Sequence, residues 1–210
     1  MKEEKEYREI DGLMYMVSEE DNGIIITSYD GISPEVQVPE FIDELPVVGT
    51  GFASFCENHN LESVILPENM KFLAPWAFID CIGLTSVTFG SNLESIGASS
   101  FAQCMMIENI VIPKKVTEID VEMFMNCTSL SGISIPEGVT TIMKFAFKEC
   151  TALTNLDIPN SIRWIDDMAF TGCKALENVS YRGENYSYNA VTDTLQEEFF
   201  HAIKWYNIHL

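Results

Sequence analysis

The sequence predicts a repeat solenoid of the α+β class, in which each coil contributes one short parallel strand. Three observations support this: a repeat of fixed length, an apolar alternation with strand period inside each repeat, and irregular segments at both ends that have the pattern of caps. The repeat is clearest in one aromatic column. Phenylalanine recurs every 23 residues, at Phe55, Phe78, Phe101, Phe124, Phe147 and Phe170.

Other columns keep the same step. In each repeat an apolar pair such as Val64 and Leu66 flanks one residue, which is typical of a strand. In most repeats a proline such as Pro67 then ends the strand and turns the chain, with Gly90 in its place once. Twenty-three residues are too few for a helix pair but suit one coil that buries its apolar columns against its neighbours. A cysteine column follows the phenylalanines, at Cys81, Cys104, Cys127, Cys150 and Cys173.

The repeat unit resembles the BspA-like leucine-rich repeat, a family of bacteria and protists. Segments 142–150 (IMKFAFKEC) and 153–159 (LTNLDIP) carry the resemblance, which covers about residues 45–183. The resemblance implies a right-handed leucine-rich-repeat solenoid that serves as a recognition scaffold for diverse partners. It implies no catalytic residues.

We expect one structural domain in three parts. Residues 1–44 form an N-terminal β cap and a degenerate first coil, residues 45–183 form six coils, and residues 184–210 form a C-terminal cap. The pair Asn22-Gly23 predicts a β-hairpin between two β-prone runs, and segment 36–39 (VQVP) has the pattern of a coil's strand end. An extra stretch near residues 45–48 explains why the repeat loses its phase there.

At the C-terminal end, segment 183–185 predicts a second hairpin, followed by a helix. Leu195, Phe199, Ile203 and Tyr206 lie on one face of that helix by their spacing. The apolar face either closes the last coil or docks a partner.

Composition excludes several function classes. The chain has 210 residues, with 12 Lys and Arg against 32 Asp and Glu, for a net charge of -20. That balance argues against direct binding of nucleic acid or anionic membranes. A partner that is attracted by the charge of this protein would be basic. Residues 1–45 alone carry 13 acids and 3 bases, either as a solubilising cap or as a steering patch. No run is long enough to cross a bilayer and no signal sequence is evident, so we expect a cytoplasmic protein, or a surface or secreted one if a leader has been trimmed.

No catalytic site, metal site or cofactor is predicted. The five in-phase cysteines are expected to remain reduced and to pack as small hydrophobic side chains in the core. Among the histidines, His59 lies in an irregular loop, and neither His201 nor His209 pairs with a nucleophile at a recognisable spacing.

The predicted binding surface is therefore the strand face. In each strand the residues beside the buried apolar columns point outward, and they are small and nearly uncharged on an acidic protein. They either meet a partner or simply allow the sheet to curve. The predicted partner-binding residues are Ser63, Ile65, Ser86, Thr88, Asn109, Val111, Ser134, Asn155, Asp157 and the loop residue His59.

For five further side chains the sequence allows two assignments, an exposed apolar strip or the core: Phe72, Trp76, Phe145, Trp164 and Met168.

Three function hypotheses follow. The first is a monomeric, non-catalytic protein-interaction module that binds an unknown partner on the strand face. The second is an acidic inhibitor or immunity-type protein that masks a basic enzyme, which the net charge motivates. The third is a fragment of a surface adhesin. An enzyme is the least favoured class, because no acid, base, nucleophile or metal set converges.

Overall fold

The computed structural model describes residues 6–29, 31, 33–189, 193–195 and 197–208, without the side chains of Thr194 and residues 205–208. His209 and the side chain of Tyr206 therefore lie outside the described residues. The strands before the first full coil are β1 (Arg8–Ile10), β2 (Leu13–Ser18), β3 (Gly23–Tyr29), β4 (Glu35–Gln37), β5 (Phe41–Ile42) and β6 (Leu45–Thr50).

The solenoid follows as stacked coils with in-phase strands, as the sequence predicts. Its strands are β7 (Ser63–Ile65), β8 (Phe72–Leu73), β9 (Ser86–Thr88), β10 (Ser95–Ile96), β11 (Asn109–Val111), β12 (Glu118–Ile119), β13 (Gly132–Ser134), β14 (Thr141–Ile142), β15 (Asn155–Asp157), β16 (Trp164–Ile165) and β17 (Asn178–Tyr181). The chain ends with β18 (Glu184–Tyr186), β19 (Tyr188–Asn189), β20 (Thr194–Leu195) and α1 (Glu197–Ile208).

The coils carry two rows of parallel strands. We call β4 and the odd-numbered strands β7–β17 the long-strand row, and β6 with the even-numbered strands β8–β16 the short-strand row. Paired residues in neighbouring coils are 23 apart, as in Val64 with Val87 and Leu73 with Ile96. The long-strand row is the predicted strand, and the two-residue strands of the second row are an addition to it. We number the coils 1 to 6 by the phenylalanine of each, from Phe55 to Phe170.

The core is continuous from end to end. Rings of the six phenylalanines stack with centroids 4.8 to 5.8 Å apart, because each coil repeats the same inward side chain one coil further along. Tyr29 lies 5.6 Å from the first ring and Phe199 lies 6.5 Å from the last. The two caps thus close the same aromatic stack.

The N-terminal cap is a β-sheet. Strands β2 and β3 form the predicted hairpin, whose loop ends at Asn22 with a left-handed φ of 51°. Strand β3 then pairs with β6 and covers the first edge of the short-strand row. This pairing protects an edge that would otherwise be open to association.

The phase shift before coil 1 has a defined shape. Strands β5 and β6 form a tight antiparallel hairpin whose turn residues, Asp43 and Glu44, have φ of 50° and 66°. Gly49 pairs with Phe72, so these two residues hold equivalent positions in successive turns of the chain. Gly49 lies ten residues after Pro39, whereas Phe72 lies only five residues after Pro67. The hairpin accommodates the extra stretch that the sequence indicates near residues 45–48.

At the C-terminal end, β17 and β18 form the second predicted hairpin, and α1 then packs beside β16. The helix begins at Glu197, so the prediction that Leu195 lies on its apolar face is wrong: Leu195 belongs to β20. Leu195 is buried, and so are Phe199 and Ile203 of α1, so the described part of the apolar helix face closes the last coil. In the described ranges, no helix has the length and apolar composition needed to cross a membrane.

Candidate protein-interaction surface

Nine of the ten predicted partner-binding residues lie in one row of strands, and the tenth, His59, lies in a loop. These outward residues lie beside the apolar columns that face the core. Eight of the nine predicted ones are exposed, and Ser63 is half-buried, as are the other outward residues Gly132 and Ser180. Val111 is the most exposed, at 67%. The loop residue His59 is also exposed and contacts Asp80, with Nε2 3.3 Å from a carboxylate oxygen. We call the outward residues of this row the long-strand face.

Hydrogen bonding along this row is uneven. In most coils the residue after the strand donates its N–H to the next coil, as Leu66 does to Thr88 O at 2.8 Å and Ile112 to Ser134 O at 2.9 Å. Among the described residues the matching bond does not form from Phe89 to Val111, and β9 and β11 are in different sheets. The row also divides between β13 and β15, where, within the described coils, Ile135 likewise makes no such bond to Asp157 O.

The sequence explains the first division. Gly90 stands where coils 1, 3, 4 and 5 have proline, and a Cβ atom there would lie 2.2 Å from the carbonyl oxygen of Pro67. The turn of coil 2 thus sits tightly against coil 1. Phe89 replaces the aliphatic residue of its column, and its ring meets Phe101 edge-on at 5.9 Å instead of joining the stack. Both residues line the space between coils 2 and 3 at this division.

That space is a groove of about 580 Å³. Thr88, Phe89 and Gly90 line one bank, and Asn109, Val111 and neighbouring residues up to Lys114 line the other. Two of the predicted partner-binding residues, Thr88 and Val111, therefore face each other across an opening in the sheet.

Coils 5 and 6 present a different surface on the same row. Asn178 Nδ2 donates to Asn155 Oδ1 at 3.0 Å, and Ser180 Oγ donates to Asp157 Oδ1 at 2.5 Å. Because these side chains bond to one another, this end of the face offers fewer free polar groups than its composition suggests.

The cysteine column lies in the core. All five in-phase cysteines are buried and unpaired, and each Sγ donates to the phenylalanine carbonyl of the preceding coil, as Cys104 does to Phe78 O at 3.1 Å. Burial raises the pKa of Cys81, Cys127 and Cys173 to about 12, and that of Cys104 and Cys150 well above its ordinary value. These thiols are packing residues and not nucleophiles at neutral pH. Cys56, outside the column, is half-buried.

Among the residues that the structure describes, no group of three or more His, Cys, Asp or Glu side chains could hold a metal ion.

A second groove, which sequence reasoning missed, crosses the short-strand row. It has a volume of about 430 Å³ and is lined by Phe72, Pro75, Glu94, Glu118 and Asp120, among others. Burial raises the pKa of Glu118, and the nearby negative charge of Asp120 adds to the rise. No repeat column signals these carboxylates, because each occurs in only one or two coils.

Carboxylates also join the proline turns of successive coils. Glu68 accepts from the hydroxyl and N–H of Ser91, and Glu137 accepts from the N–H groups of Asn160 and Ser161. These hydrogen bonds lower the pKa of both glutamates. The signal in the sequence is a Glu directly after the proline.

The five side chains left open by the sequence divide between surface and core. Trp76, Trp164 and Met168 are exposed, and Trp76 contacts the exposed Phe52 with centroids 4.9 Å apart. Phe72 and Phe145 are half-buried, and Phe72 covers Gly49.

Comparison with known proteins identifies the family. Six copies of the BspA type leucine rich repeat region match residues 50–177. The chain belongs to the BspA-type leucine-rich repeat family, whose members are repeat modules that are generally non-catalytic and typically bind proteins. This confirms the resemblance and the solenoid that the sequence predicts.

Solved bacterial structures show the same fold. A leucine-rich repeat protein of T. pallidum is 27% identical with a TM-score of 0.58, covering 83% of this chain and 71% of that one. A leucine rich cell surface protein of Faecalibacterium prausnitzii is 24% identical with a TM-score of 0.63, covering 91% and 60%. A leucine-rich repeat protein of Bacteroides ovatus is 24% identical with a TM-score of 0.62, covering 83% and 53%.

The chain thus spans less than two thirds of the second and third of these structures. No curated protein matches it.

Proposed function

We propose that this protein is a non-catalytic interaction module whose partner binds the long-strand face at the groove between β9 and β11. The observation that carries the proposal is the opening in the strand row, where a groove of about 580 Å³ coincides with the exposed Val111. Family membership supports the class of function, and the groove supports the place.

The groove has features that favour association. Val111 is an apolar side chain held in water, so covering it gains hydrophobic free energy, of the order of 1.5 to 3 kcal/mol for a full Val burial. Thr88 and Asn109 supply hydrogen-bonding groups beside it. A partner side chain that enters the groove would combine apolar burial with polar contacts, which is typical of the centre of an interface.

The test is a double substitution with a charge-matched control. Thr88→Arg/Val111→Arg should abolish capture of the partner from a lysate of the source organism, because two charged side chains would fill the groove. Thr128→Arg/Asn160→Arg adds the same charge at exposed sites away from the groove and should leave capture unchanged.

The captured protein is then purified, and its affinity is measured for both variants. Hydrogen exchange of segment 86–112 should slow in the complex. Equal affinity of both variants for the purified partner would refute the long-strand face as the binding surface.

The acidic groove of the short-strand row favours a second candidate function. Glu94, Glu118 and Asp120 face a cleft on a chain with a net charge of -20, which suits an inhibitor that masks a basic enzyme. Such a complex should weaken steeply with added salt, so a salt-insensitive complex would exclude it.

A surface role is a third candidate, since the Faecalibacterium prausnitzii relative is named a cell surface protein. Protease shaving of intact cells, followed by detection of the chain, would separate a surface location from the cytoplasmic one.

A further inference from the structure

An exposed apolar patch lies outside the long-strand face and outside both grooves. It consists of Ile82, Met105 and Met106, which we call the methionine patch, and these side chains are 36%, 40% and 53% exposed. Ile82 and Met105 occupy the same repeat position in coils 2 and 3, whose phenylalanine rings are 5.4 Å apart. The patch therefore runs across two stacked loops, at the amino ends of β9 and β11.

Solenoid geometry does not require apolar residues at these positions. In coils 4 to 6 the position of Met105 holds Thr128, Thr151 and Lys174, and these loops fold in the same way. Coils 2 and 3 therefore carry an exposed isoleucine and an exposed methionine at a position where the later coils of the same chain carry polar residues.

The surroundings of the methionine patch carry only negative formal charge at neutral pH. Loop segments 57–62, 80–85 and 103–108 contain four carboxylates and no lysine or arginine. Three of the carboxylates, Glu57, Glu62 and Glu108, are exposed, and the fourth, that of Asp80, contacts His59 at 3.3 Å. An apolar centre with an acidic rim is complementary to a surface that has an apolar centre and a basic rim.

We propose that the methionine patch binds a basic amphipathic segment of a protein partner. The apolar face of the segment would cover Ile82, Met105 and Met106, while its Lys or Arg side chains meet the carboxylates of the rim. Methionine suits this role because its flexible, polarizable side chain adapts to different apolar surfaces. The inference goes beyond the proposed function, because it adds a second binding surface outside the long-strand face and names the chemical class of what binds there.

The test uses the full chain and a synthetic probe. The probe is a peptide of about 18 residues of leucine and lysine ordered to give one apolar helical face, and the control peptide has the same composition in an order that gives no such face. On titration, the methyl NMR signals of Met105 and Met106 should shift, while the signal of Met168, which is 42% exposed in coil 6, should not.

Two matched pairs of variants measure the contributions. Met105→Gln/Met106→Gln should weaken binding of the amphipathic peptide about tenfold or more, while Met168→Gln leaves it unchanged. Asp80→Asn/Glu108→Gln should weaken binding more than Glu94→Gln/Glu118→Gln, which removes the same charge from the short-strand row. All of these sites are on the surface, so the thermal midpoint should change little.

Several outcomes would overturn the inference. The first three are that the amphipathic peptide does not bind, that both peptides bind equally, or that Met105→Gln/Met106→Gln binds the peptide as tightly as the unmodified chain does. The fourth is that the methyl signals shift with protein concentration in the absence of peptide, which would indicate that a second copy of the chain covers the patch. If the peptide fails while the captured partner still loses affinity for Thr88→Arg/Val111→Arg, the partner class is wrong and the proposed function stands.

Discussion

Coils 1 to 3 and coils 4 to 6 share a core but differ in surface. Phenylalanines stack and cysteines donate to the preceding coil in both halves. Outside, the first half presents Ile65, Val111, Met105 and Met106, whereas the second half places Thr, Ser or Asp at most of the same positions. The strand row is open beside Val111, while in coils 5 and 6 its polar groups bond to each other.

The difference separates what the fold needs from what it does not need. Stacking requires the inward columns, so these repeat from coil to coil. An outward apolar residue at these strand and loop positions adds nothing to stacking, since the second half folds with mostly polar or small residues there. At these strand and loop positions the exposed apolar residues are confined to coils 1 to 3, and that is where we expect a partner.

The largest effect should come from the shared core. Phe101→Ala and Phe124→Ala each remove a buried ring from the aromatic stack and should each lower the free energy of unfolding by about 3–5 kcal/mol. Urea denaturation monitored by circular dichroism measures this. A loss below about 1 kcal/mol in one variant alone would show that the two halves do not share one cooperative core.

Gly90 should be the next most sensitive position. Gly90→Ala places a Cβ atom 2.2 Å from Pro67 O, so relief of the clash should cost about 1–3 kcal/mol. Gly51→Ala is the control, because its Cβ would find ordinary contacts at 3.5 Å. If both variants unfold at the same urea concentration, coil 2 is not packed tightly against coil 1 and the stated cause of the groove is wrong.

The cysteine column should contribute less. Cys127→Ala and Cys150→Ala each remove one Sγ–H donor at 3.1 Å and a small buried volume, for an expected cost of about 1 kcal/mol each. Since Cys127 and Cys150 have equivalent partners, the two losses should agree within about 0.5 kcal/mol. Clearly unequal losses of stability would show that the cysteines of the column do not contribute equally.

The smallest effect concerns the acidic proline turns. The folded-state pKa of Glu68 and of Glu137 is lowered by hydrogen bonds, so each stabilises the fold above its unfolded pKa and loses that contribution as the pH falls through its folded pKa. Glu118 acts in the opposite sense. Its folded-state pKa is raised, so its ionised form destabilises the fold near neutral pH.

Thermal midpoints measured from about pH 6 to about pH 3 should fall less steeply in Glu68→Gln/Glu137→Gln than in the unmodified chain. Identical slopes would mean that these turn contacts do not contribute to stability.

The sequence predicts the core and the caps well, for physical reasons. Inward residues repeat because every coil meets the same neighbour, and the hairpins have explicit turn residues such as Asn22 and Gly183. Short strands such as β8 escape prediction because two residues give no alternation to detect.

The groove depends on distances between coils, which no single repeat contains. Its one local signal is Phe89-Gly90, where the usual aliphatic residue and proline are absent. The predicted outward columns are placed by strand alternation alone, but which of them flank an opening follows only from the structure.

Hydrogen exchange at single amides tests the central claim most directly. In the free chain, the N–H of Phe89 should exchange much faster than those of Leu66 and Ile112, which donate to the next coil at 2.8 and 2.9 Å. On addition of the captured partner, the Phe89 amide should become protected while Ile158 in coil 5 stays unchanged. Equal protection of Phe89, Leu66 and Ile112 in the free chain, or no change at Phe89 in the complex, would contradict the account.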